Sequence, residues 1–159
     1  MTEPEQFKQV LASWTTGVTI VTARDGDRVH GMTVTAFSEV SLDPPLVLLC
    51  ADVDSNTHPV IAGGKVFAVN ILAADQAPLS NKFASKRQEA VRFEGLDCDT
   101  AETGAPLIPG AVASLDCRLV ASHPHGDHVI YVGEVVDITI RDKPPLLYSR
   151  GCYGVFQAS

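Results

Sequence analysis

Two short segments of the sequence place hydroxyl side chains where they could hold a polar ligand. Thr33, Thr35 and Ser38 follow one another in a stretch rich in β-branched residues, which predicts a strand with a polar face. Residues 55–57, Ser-Asn-Thr, come shortly before Pro59 and are typical of a helix N-terminus. The first N–H groups of a helix have no partner within the helix, so this position favours an anion.

A third segment, residues 80–92, is basic in an otherwise acidic protein. It holds four of the twelve lysine and arginine residues and a single acid. Each of the three features also has an ordinary explanation, because threonine is common in strands, serine and threonine cap helices, and cations often form a solvated helix face. Their joint presence favours a ligand with a phosphate, but composition alone leaves both interpretations open.

The segment His-Pro-His-Gly-Asp-His at residues 123–128 brings three histidines and a carboxylate together. These groups could bind a divalent metal ion such as zinc. Proline and glycine at alternate positions instead favour a hairpin turn, and no HExxH or CxxC pattern supports a metal site. A turn with one histidine directed into a pocket is the preferred interpretation, and we predict no metal.

Several classes of function are excluded or disfavoured by what the sequence lacks. It contains neither GxGxxG nor GxxxxGK[ST], so the two common nucleotide-phosphate loops are absent, and it has no GxSxG elbow. A net charge of −7 disfavours nucleic-acid binding. The four cysteines are far apart and no apolar run reaches membrane-spanning length. We therefore expect a cytoplasmic protein without disulfides, membrane segment or nucleic-acid partner.

The hydrophobic pattern predicts many strands and few helices. It predicts a helix at 3–14, strands flanking a turn at 24–27, a strand at 45–51, a helix from about 58 to a glycine cap at 63–64, a strand at 65–72, a helix at 76–85 capped by Asp75, a surface connection at 93–110, and strands at 112–121 and 129–140. Residues 45–51 are apolar on both faces, which predicts a central strand. Residues 31–42 are interpreted as a single strand.

This order has no regular alternation of strands and helices. It predicts one mainly β (α+β) domain over residues 1–159, an antiparallel barrel with short helices covering its ends. The length of 159 residues is too short for two ordinary domains.

Four segments of this sequence together resemble the flavin reductase-like family. They are GMTVTAFSEVSLDPPLVLLC, FAVNILAADQAPLSNKFA, LDCRLVASHPHGDHVIYVGEVVDI and PLLYSRGCYG. The N-terminal LASWTTGVTIVTA fits the same family, and the similarity runs in order from about Phe7 to Tyr153.

The resemblance implies a split β-barrel that binds FMN or FAD and forms a homodimer. It also implies reduction of flavin by NADH or NADPH, with the reduced flavin supplied to a partner monooxygenase. Three alternatives stay open at this point. The first is a protein that retains FMN and acts as an electron carrier or as an oxidoreductase on another substrate. The others are a non-catalytic flavin- or ligand-binding module and, more distantly, a metal-dependent hydrolase built on residues 123–128.

The resemblance also implies site residues. His128 is the implied catalytic residue and, with Tyr153, the implied nicotinamide contact. The implied flavin contacts are Thr33, Thr35, Ala36, Phe37, Ser38, Cys50, Ala51, Ser55, Asn56, Thr57, Asn70, Phe83, Ala84, Ser85, Lys86 and Arg87. Two positions depart from the family pattern: Thr35 stands where many relatives have asparagine, and Cys152 stands where a basic residue is common.

Overall fold

Seven strands of the computed structural model, which describes residues 2–159, form one antiparallel sheet in the order β3-β2-β6-β9-β10-β5-β4. The strands are β1 Thr16–Gly17, β2 Thr19–Asp25, β3 Arg28–Val34, β4 Phe37–Leu42, β5 Pro45–Asp52, β6 Val66–Ile71, β7 Asp99–Thr100, β8 Pro106–Leu107, β9 Ala113–His125, β10 His128–Ile140, β11 Leu146–Ser149 and β12 Cys152–Val155. The helices are α1 Pro4–Ala12, α2 His58–Gly64 and α3 Ala77–Ala84, with 3-10 helices at Ala74–Gln76 and Lys86–Val91.

The two ends of this sheet, β3 and β4, are consecutive in the chain. Thr35 and Ala36 join them and belong to neither strand. The sheet therefore curves back on itself, and residues 35–36 form the seam at which it closes. The prediction of one strand through residues 31–42 is wrong at this point, because the chain leaves the β2 ladder after Val34 and joins the β5 ladder at Phe37. The predicted antiparallel split barrel with short covering helices is confirmed.

The hairpin of β9 and β10 is the longest pairing of the sheet. Each strand has 13 residues, and the pairing runs from His125 opposite His128 to Ala113 opposite Ile140. The predicted strand at 112–121 was therefore four residues short, since the histidine segment continues the ladder up to the turn at Gly126. The predicted strand at 45–51 is present as β5, but it lies next to the edge strand β4 and is not central.

Two clusters of buried side chains form the core. The first fills the barrel and includes Leu49, Phe67 and Tyr131. The second includes Ile20, Leu72, Phe83 and Leu146, and it packs α3 and the C-terminal hairpin against the barrel. That hairpin, β11 and β12, forms a separate three-stranded sheet with β1.

Helix α2 packs directly on β2. A Cβ atom at Gly64 would overlap the carbonyl group of Arg24 on β2, so this approach requires glycine. The predicted glycine cap is wrong, because Lys65 ends the helix in the left-handed conformation at φ 59°. The cap predicted for Asp75 is also wrong, since Asp75 lies inside the 3-10 helix that precedes α3.

Helix α1 has an amphipathic pattern but no buried residue. Its apolar face stays exposed, with 69% of Val10 accessible, and Trp14, two residues after the helix, is 76% accessible. The predicted surface connection at 93–110 contains the short β7–β8 pair, and its Ala105 and Ile108 are buried. Within residues 2–159, no helix is long and apolar enough to cross a membrane.

Candidate functional site

The seam between β3 and β4 opens into a groove of about 450 Å³, here called the Trp14 groove. Its lining residues are Leu11, Ala12, Trp14, Thr16, Thr35, Ala36, Phe37, Ser38, Leu48, Cys50 and Tyr148. Neither the Thr35 nor the Ala36 N–H donates to another backbone group of residues 2–159, while the Ala36 carbonyl accepts from Cys50 N at 3.0 Å. The groove thus combines backbone N–H groups that have no backbone acceptor, on two exposed residues, with apolar walls, a combination typical of small-molecule sites.

A second groove of about 340 Å³, the Tyr153 groove, adjoins the first. It is lined by Val18, Thr33, Thr35, Ser80, Asn81, Ala84, Tyr148, Gly151 and Tyr153. Thr35 and Tyr148 line both grooves. The two grooves therefore meet at the seam and offer one continuous surface for an extended ligand.

Hydrogen bonds hold the walls of the Tyr153 groove in place. The Tyr153 hydroxyl donates to Asn81 Oδ1 at 2.9 Å and lies 2.7 Å from Ser80 Oγ, which fixes the C-terminal hairpin to α3. Thr33 Oγ1 donates to the Ser80 carbonyl at 2.6 Å, which fixes β3 to the same helix. The Tyr148 and Tyr153 rings pack at a centroid distance of 5.4 Å. Contacts within the protein consequently form the Tyr153 groove before any ligand binds.

His128 lies on the same face of the barrel sheet as the Cys50 side chain. Ile130 is directly opposite Cys50 in the β5–β10 ladder, and His128 is two residues away, opposite Asp52. Side chains two residues apart on a strand share a face and are about 7 Å apart. His128 lines neither groove, and its Nδ1 lies 2.7 Å from the Asp127 carboxylate. The hydrogen bond from His128 lowers the pKa of Asp127 below its ordinary value.

Four of the predicted flavin contacts are buried in the protein and reach neither groove. Ala51, Thr57, Asn70 and Phe83 are at most 1% exposed. Ala51 faces the barrel interior, because it alternates with Cys50 along β5. Phe83 packs edge-on against Phe93 at a centroid distance of 5.2 Å. None of the four is therefore part of the surface of either groove.

The amide of Asn70 is fully used within the core. Its Nδ2 donates to the Ile20 carbonyl at 3.0 Å, and its Oδ1 accepts from Ile108 N at 2.9 Å and from Ser114 Oγ at 2.8 Å. Asn70 therefore connects β6 to β2, to β9 and to the chain after β8. The conspicuous polar residue of this strand has a structural explanation that sequence reasoning did not supply.

A third cavity, here called the Glu89 cavity, lies away from the two grooves at the seam. It measures about 660 Å³ and is lined by Arg28, Val29, His30, Gly31, Asn56, Glu89, Ala90, Arg92, Phe93 and Glu94. Asn56 is the single predicted contact in its lining. Ser55 is half-buried, and its hydroxyl accepts from the Thr57 N–H at 3.1 Å. The Glu89 cavity is larger than the two grooves, but it gathers fewer of the predicted residues, so the grooves at the seam are the better candidate site.

The basic segment is less available than its composition suggests. Arg92 is 5% exposed, and its guanidinium donates to the carbonyls of Gly31 and Ser85. Lys82 donates to the Glu94 carbonyl. Lys86 and Arg87 are exposed and form no ion pair within residues 2–159, so these two are the cations of the segment that a ligand could use.

Neither a reactive thiol nor a metal centre explains the site. Burial raises the pKa of the Cys50 thiol, which therefore stays protonated near neutral pH. In the described chain, no group of three or more His, Cys, Asp or Glu side chains is placed to hold a metal ion. The chemistry of the grooves is that of positioning, through backbone donors, hydroxyls and aromatic rings.

A family model described as the flavin reductase like domain matches residues 11–157 of the chain. The chain belongs to this family. The FMN reductase (NADH) SmoA of Agrobacterium fabrum is 43% identical over 150 residues, which cover 94% of this chain and 84% of that protein. The reductase component of 4-hydroxyphenylacetate 3-monooxygenase from Thermus thermophilus is 39% identical, and the match covers 94% of each chain.

Solved structures of family members have the same fold. The NADH:FAD oxidoreductase SgcE6 of Streptomyces globisporus superposes with a TM-score of 0.92 at 36% identity, covering 99% of this chain and 98% of that one. Its complex with NAD and FAD fragments gives a TM-score of 0.90 at the same identity, covering 99% of this chain and 96% of that one. The resemblance inferred from the sequence is thereby confirmed.

Sequence reasoning missed part of the groove lining. Trp14 was considered only as the last residue of the predicted helix at 3–14, yet it is an exposed wall of the Trp14 groove. Tyr148, Ser80 and Gly151 carry no pattern of their own, and the fold alone brings them to the seam. The one available signal was the second tyrosine in the C-terminal segments, five residues before Tyr153.

Proposed function

We propose that the protein is an NAD(P)H-dependent flavin reductase that binds flavin across the seam at Thr35. The observation that carries this proposal is the meeting of the Trp14 and Tyr153 grooves at Thr35, where two backbone N–H groups have no backbone acceptor. The predicted oxidoreductase activity and its flavin and nicotinamide cofactors are confirmed by the activities that the Agrobacterium and Streptomyces relatives are named for.

The groove residues fit a flavin in shape and chemistry. Thr35 and Ala36 are exposed and small, so a planar ring can lie close to the backbone. The free N–H groups can donate to the polar edge of the ring, and such donors stabilise negative charge on a reduced ring. Tyr148 and Trp14 offer aromatic surface on either side. Flavin itself supplies the hydride chemistry when it is bound.

The chain's own contribution is to orient the reactants. Ser38 and Cys50 lie on the Trp14 side of the seam and Tyr153 on the other side. We place the nicotinamide near His128, because the imidazole ring of His128 lies on the same sheet face as Cys50 and is only partly exposed. In this position His128 orients the nicotinamide by hydrogen bonding, and catalysis by positioning requires no further acid or base.

The phosphate end of the flavin is assigned to residues 55–57 and to Lys86 and Arg87. The support is the family resemblance together with the exposure of these two cations. Thr57 acts through the backbone of this segment, since its side chain is fully buried. FMN and FAD both appear among the named cofactors of relatives, and the assay below decides between them.

We also infer a homodimer that completes the Trp14 groove. The exposed face of α1 includes Phe7 at 55% and Leu11 at 56%, and it continues into the groove through Leu11 and Trp14. A contiguous apolar surface of this kind marks an interaction site. A second copy that covers α1 would bury these side chains and close the groove from outside. Size-exclusion chromatography with light scattering should give twice the chain mass, and a monomer would contradict the inference.

A flavin-dependent monooxygenase is the proposed recipient of the reduced flavin. Several relatives are named as reductase components or subunits of such enzymes, among them the Thermus protein. The Tyr153 groove has no α1 residue in its lining, so it would stay open in the proposed dimer and give the reduced flavin a route of release.

The deciding experiment mixes purified protein with NADH or NADPH and with FMN, FAD or riboflavin. We expect flavin-dependent loss of nicotinamide absorbance that saturates with flavin concentration. A protein that stays coloured and oxidises little NAD(P)H would be an electron carrier. A protein that binds no flavin would overturn the proposed function.

A further inference from the structure

The carboxylate of Glu89 joins three separate parts of the chain. Its Oε2 accepts from Asn56 Nδ2 at 3.0 Å. Its Oε1 lies 3.2 Å from His30 Nε2 and 3.6 Å from the Arg92 guanidinium. The Glu89 side chain is only 29% accessible. It therefore connects β3, the segment before α2 and the chain after the second 3-10 helix.

His30 extends this connection to Thr57. A carboxylate can only accept, so the neutral His30 ring carries its proton on Nε2 and leaves Nδ1 as an acceptor. The Thr57 hydroxyl lies 2.7 Å from that Nδ1 and is therefore the donor. Burial also lowers the pKa of His30, which keeps the ring neutral near pH 7. Glu89 thus fixes the orientation of both Asn56 and Thr57.

Arg92 gives this network a rigid base. Its side chain is 5% exposed, and it donates to Gly31 O at 2.7 Å and to Ser85 O at 3.1 Å. The network consequently holds the backbone of Ser85 as well, immediately before Lys86. Every segment assigned to the flavin phosphate is attached to it, although neither Glu89 nor His30 lines the grooves at the seam.

We propose that Glu89 is a positioning residue that sets the affinity of the protein for the phosphate group of its flavin. It does so by holding residues 55–57 at a fixed distance from the segment that carries Lys86 and Arg87. The proposal rests on the proposed function. A purely structural bridge would affect phosphorylated and unphosphorylated flavins alike, whereas a phosphate-positioning residue affects FMN and spares riboflavin.

The test measures dissociation constants for FMN and riboflavin by flavin fluorescence on the full chain. Glu89→Gln keeps the size of the side chain and removes its charge. We expect it to weaken FMN binding about tenfold, as for loss of a charge-assisted hydrogen bond, and riboflavin binding less than about twofold. Glu94→Gln is the matched control, because Glu94 lines the same cavity and its side chain is exposed and outside the network. Both affinities should be unchanged in this control.

His30→Asn provides a second variant in case Glu89→Gln does not fold. His30 is not among the proposed phosphate contacts, and its replacement breaks the link from Glu89 to Thr57, so we expect an FMN-selective loss of about threefold. Equal losses for FMN and riboflavin in either variant would overturn the proposal, as would unchanged FMN affinity in both.

The control experiments on the unmodified protein separate this proposal from the proposed function. The wild-type protein could bind riboflavin as tightly as FMN and still oxidise NAD(P)H. The phosphate group would then contribute nothing to flavin affinity, so the proposed role of Glu89 would be wrong while the reductase activity stands. If the wild-type protein binds no flavin, the proposed function fails first.

Discussion

Replacing Asn70 by alanine tests whether this residue is a ligand contact or a core connector. The structure assigns it to the core, where its amide makes three hydrogen bonds of 2.8 to 3.0 Å to Ile20, Ile108 and Ser114 and a longer fourth one of 3.4 Å to Thr22 Oγ1. Alanine removes all four, and the three shorter bonds leave a buried carbonyl, a buried N–H and a buried hydroxyl to find other partners.

The expected cost follows from these bonds. Each orphaned buried group costs about 1–3 kcal/mol, partly relieved by relaxation, so we expect the free energy of unfolding to fall by about 4 kcal/mol. That is a large share of the roughly 5–15 kcal/mol available to a typical domain. The melting temperature should fall by about 8–16 °C for a chain of this size.

Urea unfolding followed by circular dichroism measures this loss, with Asn81→Ala as the control. Asn81 is exposed and accepts one hydrogen bond, from Tyr153, so its replacement should cost less than about 1 kcal/mol. Flavin affinity of folded Asn70→Ala should stay within about twofold of the wild-type value. A loss of stability no larger than in the control, together with weaker flavin binding, would refute the structural assignment.

Three further outcomes are expected. His128→Ala should raise the apparent KM for NAD(P)H and lower kcat in steady-state assays, and values unchanged within error would remove its role at the nicotinamide. Burial lowers the pKa of His30 below 6.5 despite the opposing effect of Glu89, with Arg28 and Arg92 adding to the lowering. The unfolded chain therefore binds the proton first as the pH falls below 6.5, so the free energy of unfolding should decrease on acidification, and less so in His30→Asn; equal slopes would contradict this. Gly133→Ala should destabilise by about 1–3 kcal/mol in urea unfolding, because the added Cβ would overlap the buried Phe67 ring, whereas wild-type stability would show that the ring can move.

Most of the sheet was predictable because its signals are local. The turn at residues 24–27 and the β-branched runs around it required only the sequence neighbours of Gly26, which has φ 58°. The break at Thr35 was not predictable, because each side of it pairs with a different strand, and pairing partners distant in the sequence leave no local pattern.

The candidate site was also predicted only in part. Thr35, Ala36, Phe37 and Ser38 were named from the resemblance and do line a groove. Asn70 was named from the same resemblance, yet its chemistry depends on Ile108 and Ser114, which lie 38 and 44 residues further along. Whether a polar side chain faces a ligand or the core is decided by such distant partners, so residue type and local spacing do not determine it.

The seam at Thr35 has a consequence for how the protein opens. β3 and β4 meet there through two residues of chain and share no ladder of hydrogen bonds. A molecule that binds residues on both sides of the seam would hold β3 and β4 together and stabilise the closed barrel. At a hundred times its dissociation constant, such a molecule adds about 2.7 kcal/mol to the native state. Amide hydrogen exchange along β3 and β4 should therefore slow when flavin is present, and proteolysis at residues 35–36 should slow as well.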